Sequence, residues 1–263
     1  MNVIILAAGQ GKRLGYLTKN RPKCMVNLFG KTLLEWQISV FKKCGISDIS
    51  VVTGFKAEMI DLPDLEFFQN KNFESTNMVE SLFCASKKLN KSTIVSYGDI
   101  IFGENILNRL IDSENNFSVV VDKQWKKYWQ MRFDNPLTDA ESLKIDADGN
   151  ITSIGQKVKE IGEIEGQYIG LMKFQNEGLT IIKDFYQKIK NQSKDNPNPL
   201  NPHIRFEQSY MTDFLQGLIN NGYKLKALEI KNGWLELDSI NDYNKYTKLF
   251  AEKTISEYVD LDD

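Results

Sequence analysis

The chain begins with a short apolar segment that runs directly into a glycine-rich, basic loop. Residues 2–6 are typical of a buried strand, and residues 7–15 contain three glycines together with Arg13. Glycine lets the main chain approach a ligand closely, and the amides of such a loop can bind phosphate oxygens. Lys23 adds a second positive charge shortly afterwards. This order of strand, glycine loop and cations predicts the first unit of an α/β fold and a polyphosphate ligand.

Two familiar phosphate-binding loops do not fit this segment. A P-loop needs Ser or Thr directly after its Gly-Lys pair, but Gly11-Lys12 is followed by Arg13. A dinucleotide-binding loop needs a third glycine where this chain has Leu14, and Gly15 comes one residue too late. On loop composition alone, an ordinary strand-to-helix turn remains an alternative.

The first half of the chain alternates apolar runs with helical patterns, which is typical of parallel α/β units. We predict strands over residues 3–6, 48–53, 65–69, 93–97 and 118–121. Helices are predicted over residues 33–44, 77–89 and 104–111. The expected fold is therefore α/β, with a mostly parallel central sheet of Rossmann-like type and helices on both faces. In such a sheet the ligand binds at the carboxyl ends of the strands.

The pattern changes after Lys123. Residues 125–145 are aromatic and charged and are interpreted as loop-like, and a strand, a tight turn and a strand follow over residues 143–154. Further predicted elements are a strand over 165–174, helices over 177–190 and 208–221, strands over 226–230 and 234–236, and a closing helix over 242–252. These short strands indicate a small β-rich insertion in the second half.

Composition limits the possible partners. A chain of 263 residues can form one large α/β domain, and a net charge of −2 argues against nucleic acid or an anionic membrane as partner. No apolar run is long enough to span a bilayer, and the start does not resemble a signal peptide, so we expect a cytoplasmic protein. The oligomeric state is left open by the residues.

The cysteines and the single histidine exclude several kinds of site. Cys24, Cys44 and Cys84 are odd in number and widely spaced, so we expect free, small buried residues rather than a disulfide framework or a zinc site. His203 is the only histidine and follows a proline-broken polar stretch, which predicts a surface loop. A histidine base or a histidine-rich metal site is therefore not expected.

A longer pattern points to a known family. Residues 6–14, 22–26 and 30–35 together resemble the nucleotidyltransferases that make nucleoside-diphosphate sugars and related activated head groups. Residues 97–99 and 234–238 are similar to the segments that carry the two metal-binding aspartates of that family. The resemblance covers most of the chain, and it implies nucleotidyl transfer assisted by Mg²⁺.

The branch of the family is indicated by other segments. Residues 73–82 and 236–243 resemble phosphocholine cytidylyltransferases of bacterial surface decoration. Residues 121–125, 132–141 and 167–171 are more similar to phosphoglutamine cytidylyltransferases of capsular phosphoramidate synthesis. Sugar-transferring relatives carry Glu-Lys-Pro where this chain has Gln156-Lys157-Val158, which argues against a hexose phosphate. The resemblance thus implies CTP and a small phosphorylated metabolite as substrates.

The resemblance also assigns roles to individual residues. Arg13 and Lys23 would be catalytic, and Asp99 and Asp238 would bind Mg²⁺. The expected nucleotide-binding residues are Leu6, Ala7, Ala8, Gly9, Gln10, Gly11, Asn77 and Gly98. The expected acceptor-binding residues are Lys157, Trp125, Tyr128, Trp129, Glu165 and Tyr168. We expect one domain, with a nucleotide-binding part over 1–122, an acceptor-binding part over 123–235 and a C-terminal helix over about 239–258.

Each role has a plainer alternative. Asp99, Asp238 and Asn77 can serve simply as helix caps, and Lys157 can be a solvated surface lysine. Aromatic rings pack in cores more often than they form ligand cages, although such rings can hold a quaternary ammonium. Glu165 or Asp122 can instead bind an amine of the acceptor.

The expected chemistry suits a chain with one histidine. The attacking phosphate oxygen is already an anion at neutral pH, so the step requires charge neutralisation and in-line alignment rather than a base. Alternatives are a sugar-1-phosphate transferase, a nucleotide-sensing module and, least favoured, a dinucleotide-dependent oxidoreductase. The sensing module is disfavoured because the chain has Arg13 and Lys23 together with both expected metal ligands, Asp99 and Asp238, which a sensor does not need.

Overall fold

The structure is a computed structural model, and it describes residues 1–260. Within that range the chain forms thirteen strands. They are β1 (Asn2–Ala7), β2 (Asn27–Leu28), β3 (Lys31–Thr32), β4 (Ile49–Thr53), β5 (Glu66–Gln69), β6 (Thr93–Tyr97), β7 (Ile100–Phe102), β8 (Phe117–Asp122), β9 (Glu141–Ile145), β10 (Asn150–Lys157), β11 (Gln167–Phe174), β12 (Leu225–Ile230) and β13 (Trp234–Glu236). The predicted strands over 93–97 and 234–236 are confirmed to the residue.

Seven α-helices accompany these strands in the described residues. They are α1 (Leu33–Lys43), α2 (Met78–Cys84), α3 (Glu104–Ile111), α4 (Trp125–Arg132), α5 (Glu177–Gln192), α6 (Met211–Asn220) and α7 (Ile240–Ala251). Local sequence explains several ends: Thr32 and Glu35 form a capping box at α1, and Gly45 follows that helix at a φ of 80°.

Nine strands form the central sheet, in the order β5-β4-β1-β6-β11-β8-β12-β10-β9. Strands β11 and β10 pair antiparallel with their neighbours, so they run opposite to the other seven. The first four strands of this order are all parallel, which brings the ends of β1 and β6 to one edge. The prediction of a mostly parallel α/β sheet is confirmed.

Each face of the sheet carries its own hydrophobic core. Alternate residues of β1 belong to different cores: Val3 and Ile5 pack on one face, and Ile4 and Leu6 on the other. Buried side chains of α1, α3, α4 and α7 cover the first face, and those of α2, α5 and α6 cover the second. Helices on both faces were expected from the alternating pattern.

The β-rich insertion extends the main sheet. Hairpin β9–β10 pairs with β12 at one edge, while β11 lies between β6 and β8. A second, two-stranded sheet joins β7 to β13, so that Trp234 lies opposite Phe102 and Glu236 opposite Ile100. This small sheet brings the chain near residue 238 to the end of β6, although more than a hundred residues separate the two segments.

Two sequence expectations about helices need correction. Residues 125–132 form helix α4 rather than a loop, because Trp125, Tyr128 and Trp129 recur at helical spacing on one buried face. The last α-helix ends at Ala251 and only a short 3₁₀ turn follows at Ile255–Glu257, since Lys253 adopts a left-handed φ of 59°.

The cysteine expectation was correct about bonding and partly wrong about burial. All three cysteines are free, and Cys24 is buried, but Cys44 is half-buried and Cys84 is exposed. His203 is exposed in a turn, as predicted. No helix in the described part of the chain is both long and apolar enough to cross a membrane.

Candidate active site

The glycine loop leaves its amides open. It continues β1 at residues 8–11 and enters a 3₁₀ helix, Lys12–Thr18, through Gly11 at a φ of 65°. Thr18 fixes the turn by donating its hydroxyl hydrogen to the Gly11 carbonyl at 2.9 Å. Among the hydrogen bonds of residues 1–260, none has the main-chain amide of Gly9, Gln10 or Gly11 as donor. These amides are therefore available to an anion.

Two glycines allow other segments to close in on the end of β1. A Cβ atom at Gly98 would lie 2.8 Å from the Leu6 carbonyl oxygen, and one at Gly54 would lie 2.7 Å from the Ala8 carbonyl oxygen. The amides of Gly98 and Phe55 donate to the same two oxygens at 2.9 and 3.1 Å. Gly98 thus holds the loop in place by close packing.

Lys23 contacts both of the aspartates that are expected to bind Mg²⁺, although they are far apart in the sequence. Its ammonium donates to Asp99 Oδ2 and to Asp238 Oδ1, both at 2.7 Å, and its side chain is only 12% exposed. Arg13 forms an ion pair with the other oxygen of Asp238, and its own side chain is 67% exposed. The four side chains therefore meet at one point beside the glycine loop.

The geometry rules out the capping alternative for both aspartates. Ser239, not Asp238, caps α7, and its hydroxyl accepts from the Asp242 amide at 3.2 Å. Asp99 precedes strand β7, and Gly103 is the cap residue of α3. Neither carboxylate is used by a helix end, and both instead face the cations of the cluster.

Electrostatics at this point are dominated by opposite charges in contact. Burial by itself would lower the pKa of Lys23, but the carboxylates of Asp99 and Asp238 outweigh it and raise the pKa. Burial acts to raise the pKa of Asp238, and Lys23 together with Arg13 reverses this, so its pKa is lowered. Both groups are thus held in their charged forms.

The aspartates fit a divalent cation that is shared with phosphate. The buried Oδ1 atom of Asp99 has no hydrogen-bond partner, and both carboxylates already face one positive charge. Residues 1–260 contain no group of three or more His, Cys, Asp or Glu side chains that could hold a metal by themselves. Proteins usually bind Mg²⁺ through one or two carboxylates, and phosphate oxygens of the substrate and water complete its coordination.

A cleft of about 590 Å³ opens over this cluster. Its floor is formed by residues 6–9, Lys23 and Asp99, and its wall includes Asn77 and Tyr97. Asn77 caps α2, since its Oδ1 atom accepts from the Met78 amide at 2.9 Å, and it also faces the cleft.

A second cavity of about 690 Å³ adjoins the first and shares Met78 and Tyr97 with it. Three carboxylates line it: those of Asp139, Glu141 and Glu236. Its aromatic lining is Trp129, Tyr168, Tyr210 and Trp234, with Tyr97 at the boundary. An acidic and aromatic cavity of this kind favours a positively charged group.

Two carboxyl groups of the second cavity are less acidic than usual. Burial of its carboxyl group, with Asp139 and Asp213 nearby, raises the pKa of Glu141 to about 7, although the residue as a whole is exposed. Burial also raises the pKa of Glu236 to about 7, against the opposing effect of Arg132. The charge of this cavity therefore changes near neutral pH.

Comparison with known proteins decides the family. Residues 3–150 match the family described as the MobA-like NTP transferase domain. The chain belongs to this nucleotidyltransferase family. It is 41% identical over 254 residues to the CTP:phosphoglutamine cytidylyltransferase of Campylobacter jejuni, covering 92% of this chain and 97% of the relative.

Solved structures share the fold of this nucleotidyltransferase. The CTP:phosphocholine cytidylyltransferase of Streptococcus pneumoniae superposes with a TM-score of 0.72 at 20% identity, over 95% of this chain and 98% of that one. The inositol-1-phosphate CTP transferase of T. maritima gives a TM-score of 0.69 at 19% identity, over 98% and 97%.

The expected acceptor residues of the nucleotidyltransferase divide into two groups. Trp129 and Tyr168 line the second cavity. Trp125 and Tyr128 are 3% and 1% exposed and belong to the core, and Tyr128 shares a 2.6 Å hydrogen bond with the Tyr246 hydroxyl. The expected loop is wrong, because one helix carries all three rings and buries them, and of the three only Trp129 also lines the second cavity.

The charged candidates lie outside the two cavities. Lys157 is exposed at the end of β10, opposite Glu141. Glu165 is exposed and accepts from the Ile145 amide at 2.9 Å. Asp122 is fully buried, and it accepts from the Gln124 amide and the Trp234 indole. Asp122 is therefore a structural group, and the roles of Lys157 and Glu165 stay predictions.

Sequence reasoning missed the acidic lining of the second cavity. Trp234 and Glu236 are two residues apart on β13, which places them on one side of that strand, and Asp139 lies in the turn just before β9, which begins at Glu141. That alternation of acid or aromatic residues is visible in the sequence. It does not show which side faces a cavity, because the partner segments come from distant parts of the chain.

Proposed function

We propose that this nucleotidyltransferase transfers CMP from CTP to the phosphate of phosphoglutamine and releases pyrophosphate. The observation that carries the proposal is the acidic second cavity, which opens directly beside the Lys23 cluster. Its carboxylates suit an acceptor that bears an ammonium group as well as a phosphate. The similarity to the Campylobacter enzyme along nearly the whole chain supports the same choice. We further propose that the product enters capsular phosphoramidate biosynthesis.

The reaction requires two anions to meet. An oxygen of the acceptor phosphate forms a bond to the α-phosphorus of CTP, the bond to the bridging oxygen breaks, and pyrophosphate leaves with that electron pair. The open amides of Gly9, Gln10 and Gly11 bind the triphosphate, and Arg13, exposed at the mouth of the cleft, neutralises the leaving phosphates. Lys23 neutralises the charge where the two phosphates approach.

Asp99 and Asp238 would hold Mg²⁺, which when bound neutralises charge on the phosphate oxygens. Lys23 lies between these carboxylates in the structure, so its ammonium would stand beside the cation and the phosphates. At the other side, Asp139 and Glu141 bind the ammonium of the acceptor, and the neighbouring rings exclude water from it.

Phosphocholine is the second candidate acceptor. Five aromatic rings line the second cavity, and a quaternary ammonium prefers such faces because it has no hydrogen to donate. A primary ammonium gains more from the carboxylates, which accept its hydrogen bonds. The mixed lining is thus compatible with both acceptors and offers no cation for a second phosphate group.

The test is pyrophosphate release with CTP, UTP, GTP and ATP, each against phosphoglutamine, phosphocholine and glucose 1-phosphate in the presence of Mg²⁺. Mass spectrometry of the product identifies the transferred group. We expect the highest kcat/KM with CTP and phosphoglutamine. A preference for phosphocholine would support the second candidate, and preference for the sugar phosphate would overturn both. Tight CTP binding without turnover would indicate a sensing module.

A further inference from the structure

A buried arginine lies behind the active site. Arg132 ends helix α4, and its side chain is 0% exposed. Its Nε and one terminal nitrogen donate to the two oxygens of Asp242 at 3.1 and 3.3 Å. The other terminal nitrogen donates to Glu236 Oε2 at 2.7 Å. A buried guanidinium that binds two separate carboxylates fixes the relative position of both.

The first of these carboxylates, that of Asp242, binds the main-chain amides at Asp238 and Ser239. Asp242 Oδ2 accepts from the amides of Asp238 and Ser239 at 3.2 and 2.8 Å, and from the Ser239 hydroxyl at 2.9 Å. Asp242 itself is 1% exposed. The position of the Asp238 carboxylate therefore depends on Asp242, and Asp242 depends on Arg132.

The second carboxylate faces the acceptor. Glu236 lines the second cavity, and its main chain is held on both sides: its amide donates to the Tyr128 hydroxyl at 2.7 Å, and its carbonyl accepts from the Tyr246 hydroxyl at 2.8 Å. Tyr128 lies on α4 and Tyr246 on α7. Helix α4 also presents Trp129 to the same cavity. One helix thus contacts both the acceptor wall and the support of Asp238.

We propose that Arg132 is a positioning residue that sets Asp238 for the divalent cation and Glu236 for the acceptor. The inference rests on the proposed role of Asp238 as a metal ligand. Arg132 contacts neither substrate; it acts through Asp242 and Glu236. Its loss leaves two carboxylates without their partner and frees the segment 236–239 to move.

The test measures Mn²⁺ binding by electron paramagnetic resonance on the full chain with CTP and no acceptor, so that no turnover occurs. We expect Arg132→Gln to weaken Mn²⁺ binding about 10- to 100-fold, the usual effect of removing a support of a metal ligand. Arg132→Lys should restore part of the affinity. CTP binding in EDTA should change less than about twofold, because the glycine loop is not held by Arg132.

Lys173 provides the matched control. It is 1% exposed, and its ammonium donates to the carbonyls of Ile111 and Ser113 at 2.7 and 2.6 Å, far from the cluster. Lys173→Gln also removes a buried cation, and it should leave Mn²⁺ affinity unchanged. If Arg132→Gln does not fold, Asp242→Asn tests the same link and should also weaken Mn²⁺ binding.

Two outcomes are distinguishable. If a folded Arg132→Gln or Asp242→Asn variant binds Mn²⁺ as tightly as the parent while Asp238→Asn does not, the positioning role is wrong and the proposed function stands. If Asp238→Asn itself binds Mn²⁺ normally, the metal assignment fails, and the inference fails with it.

Discussion

The two cavities that we assign to the nucleotide and to the acceptor are formed by different parts of the chain. The nucleotide cleft lies beside a short loop in which the main-chain amides of Gly9, Gln10 and Gly11 are open, and glycines allow close packing around that loop. The acceptor cavity is formed by side chains from α4, from the segment around β9, from β11 and from β13. Main-chain recognition needs a short contiguous motif, whereas side-chain recognition needs only that distant segments meet. The first can stay constant while the second changes its ligand.

The largest effect is expected where the two cavities meet. Lys23→Ala removes the ammonium that lies between Asp99 and Asp238, and the positive charge that both reacting phosphates require. We expect kcat to fall by about a hundredfold or more, corresponding to roughly 3 kcal/mol of transition-state stabilisation.

Steady-state pyrophosphate release checks this prediction. Lys19→Ala is the control, because Lys19 is an exposed lysine of the same segment that lines neither cavity. A kcat for Lys23→Ala within threefold of the parent would remove Lys23 from the mechanism.

Gly98→Ala should damage the nucleotide cleft alone. The added methyl group would lie 2.8 Å from the Leu6 carbonyl and 3.0 Å from the Ala7 Cα atom, so the end of β1 must shift. Overpacking of this kind typically costs about 1–3 kcal/mol. We expect CTP binding, measured by calorimetry, to weaken about tenfold.

Gly162→Ala is the matched control, since nothing lies within 4 Å of its Cβ position and its φ is not left-handed. The acceptor KM of Gly98→Ala, measured at saturating CTP, should stay within twofold of the parent. A large rise in that KM would mean that a change in the nucleotide cleft also alters the acceptor cavity.

The acceptor cavity should respond to pH. A carboxyl with a pKa of about 7 carries little charge at pH 6 and is mostly ionised at pH 8, so Glu141 binds an ammonium better as pH rises. We expect the acceptor KM to fall about fivefold between pH 6 and pH 8, with little change in the KM for CTP. Initial rates at both pH values measure this.

Glu141→Gln separates this group from the other acids of the cavity. Glu236 has a similar pKa but already pairs with Arg132, and Asp139 accepts from the Trp129 indole at 3.1 Å. The variant should therefore have a high acceptor KM that varies little with pH. A pH dependence equal to that of the parent would assign the effect to Glu236 or Asp139.

The same contrast explains how far sequence reasoning reached. The glycine loop, Lys23 and the ends of β6 and β13 could be predicted because each is a local pattern with its own physical requirement. That Asp99 and Asp238 act together was expected from the family resemblance and not from any local pattern. In the structure the pairing of β7 with β13 brings the two segments side by side. Arg132 and Glu141 gave no local signal: a buried arginine and an exposed one look identical in a sequence.

The smallest expected effect distinguishes core from cavity on a single helix. Trp125 and Trp129 are one turn apart on α4, but only Trp129 lines the acceptor cavity, where its indole also holds Asp139. Trp125→Phe should lower the thermal midpoint by a few degrees through lost packing, about 1 kcal/mol, and leave the acceptor KM within twofold. Trp129→Phe should raise that KM about threefold or more at similar stability. Equal KM values for the two variants would place the acceptor elsewhere, because both rings are buried but only Trp129 also lines the acceptor cavity.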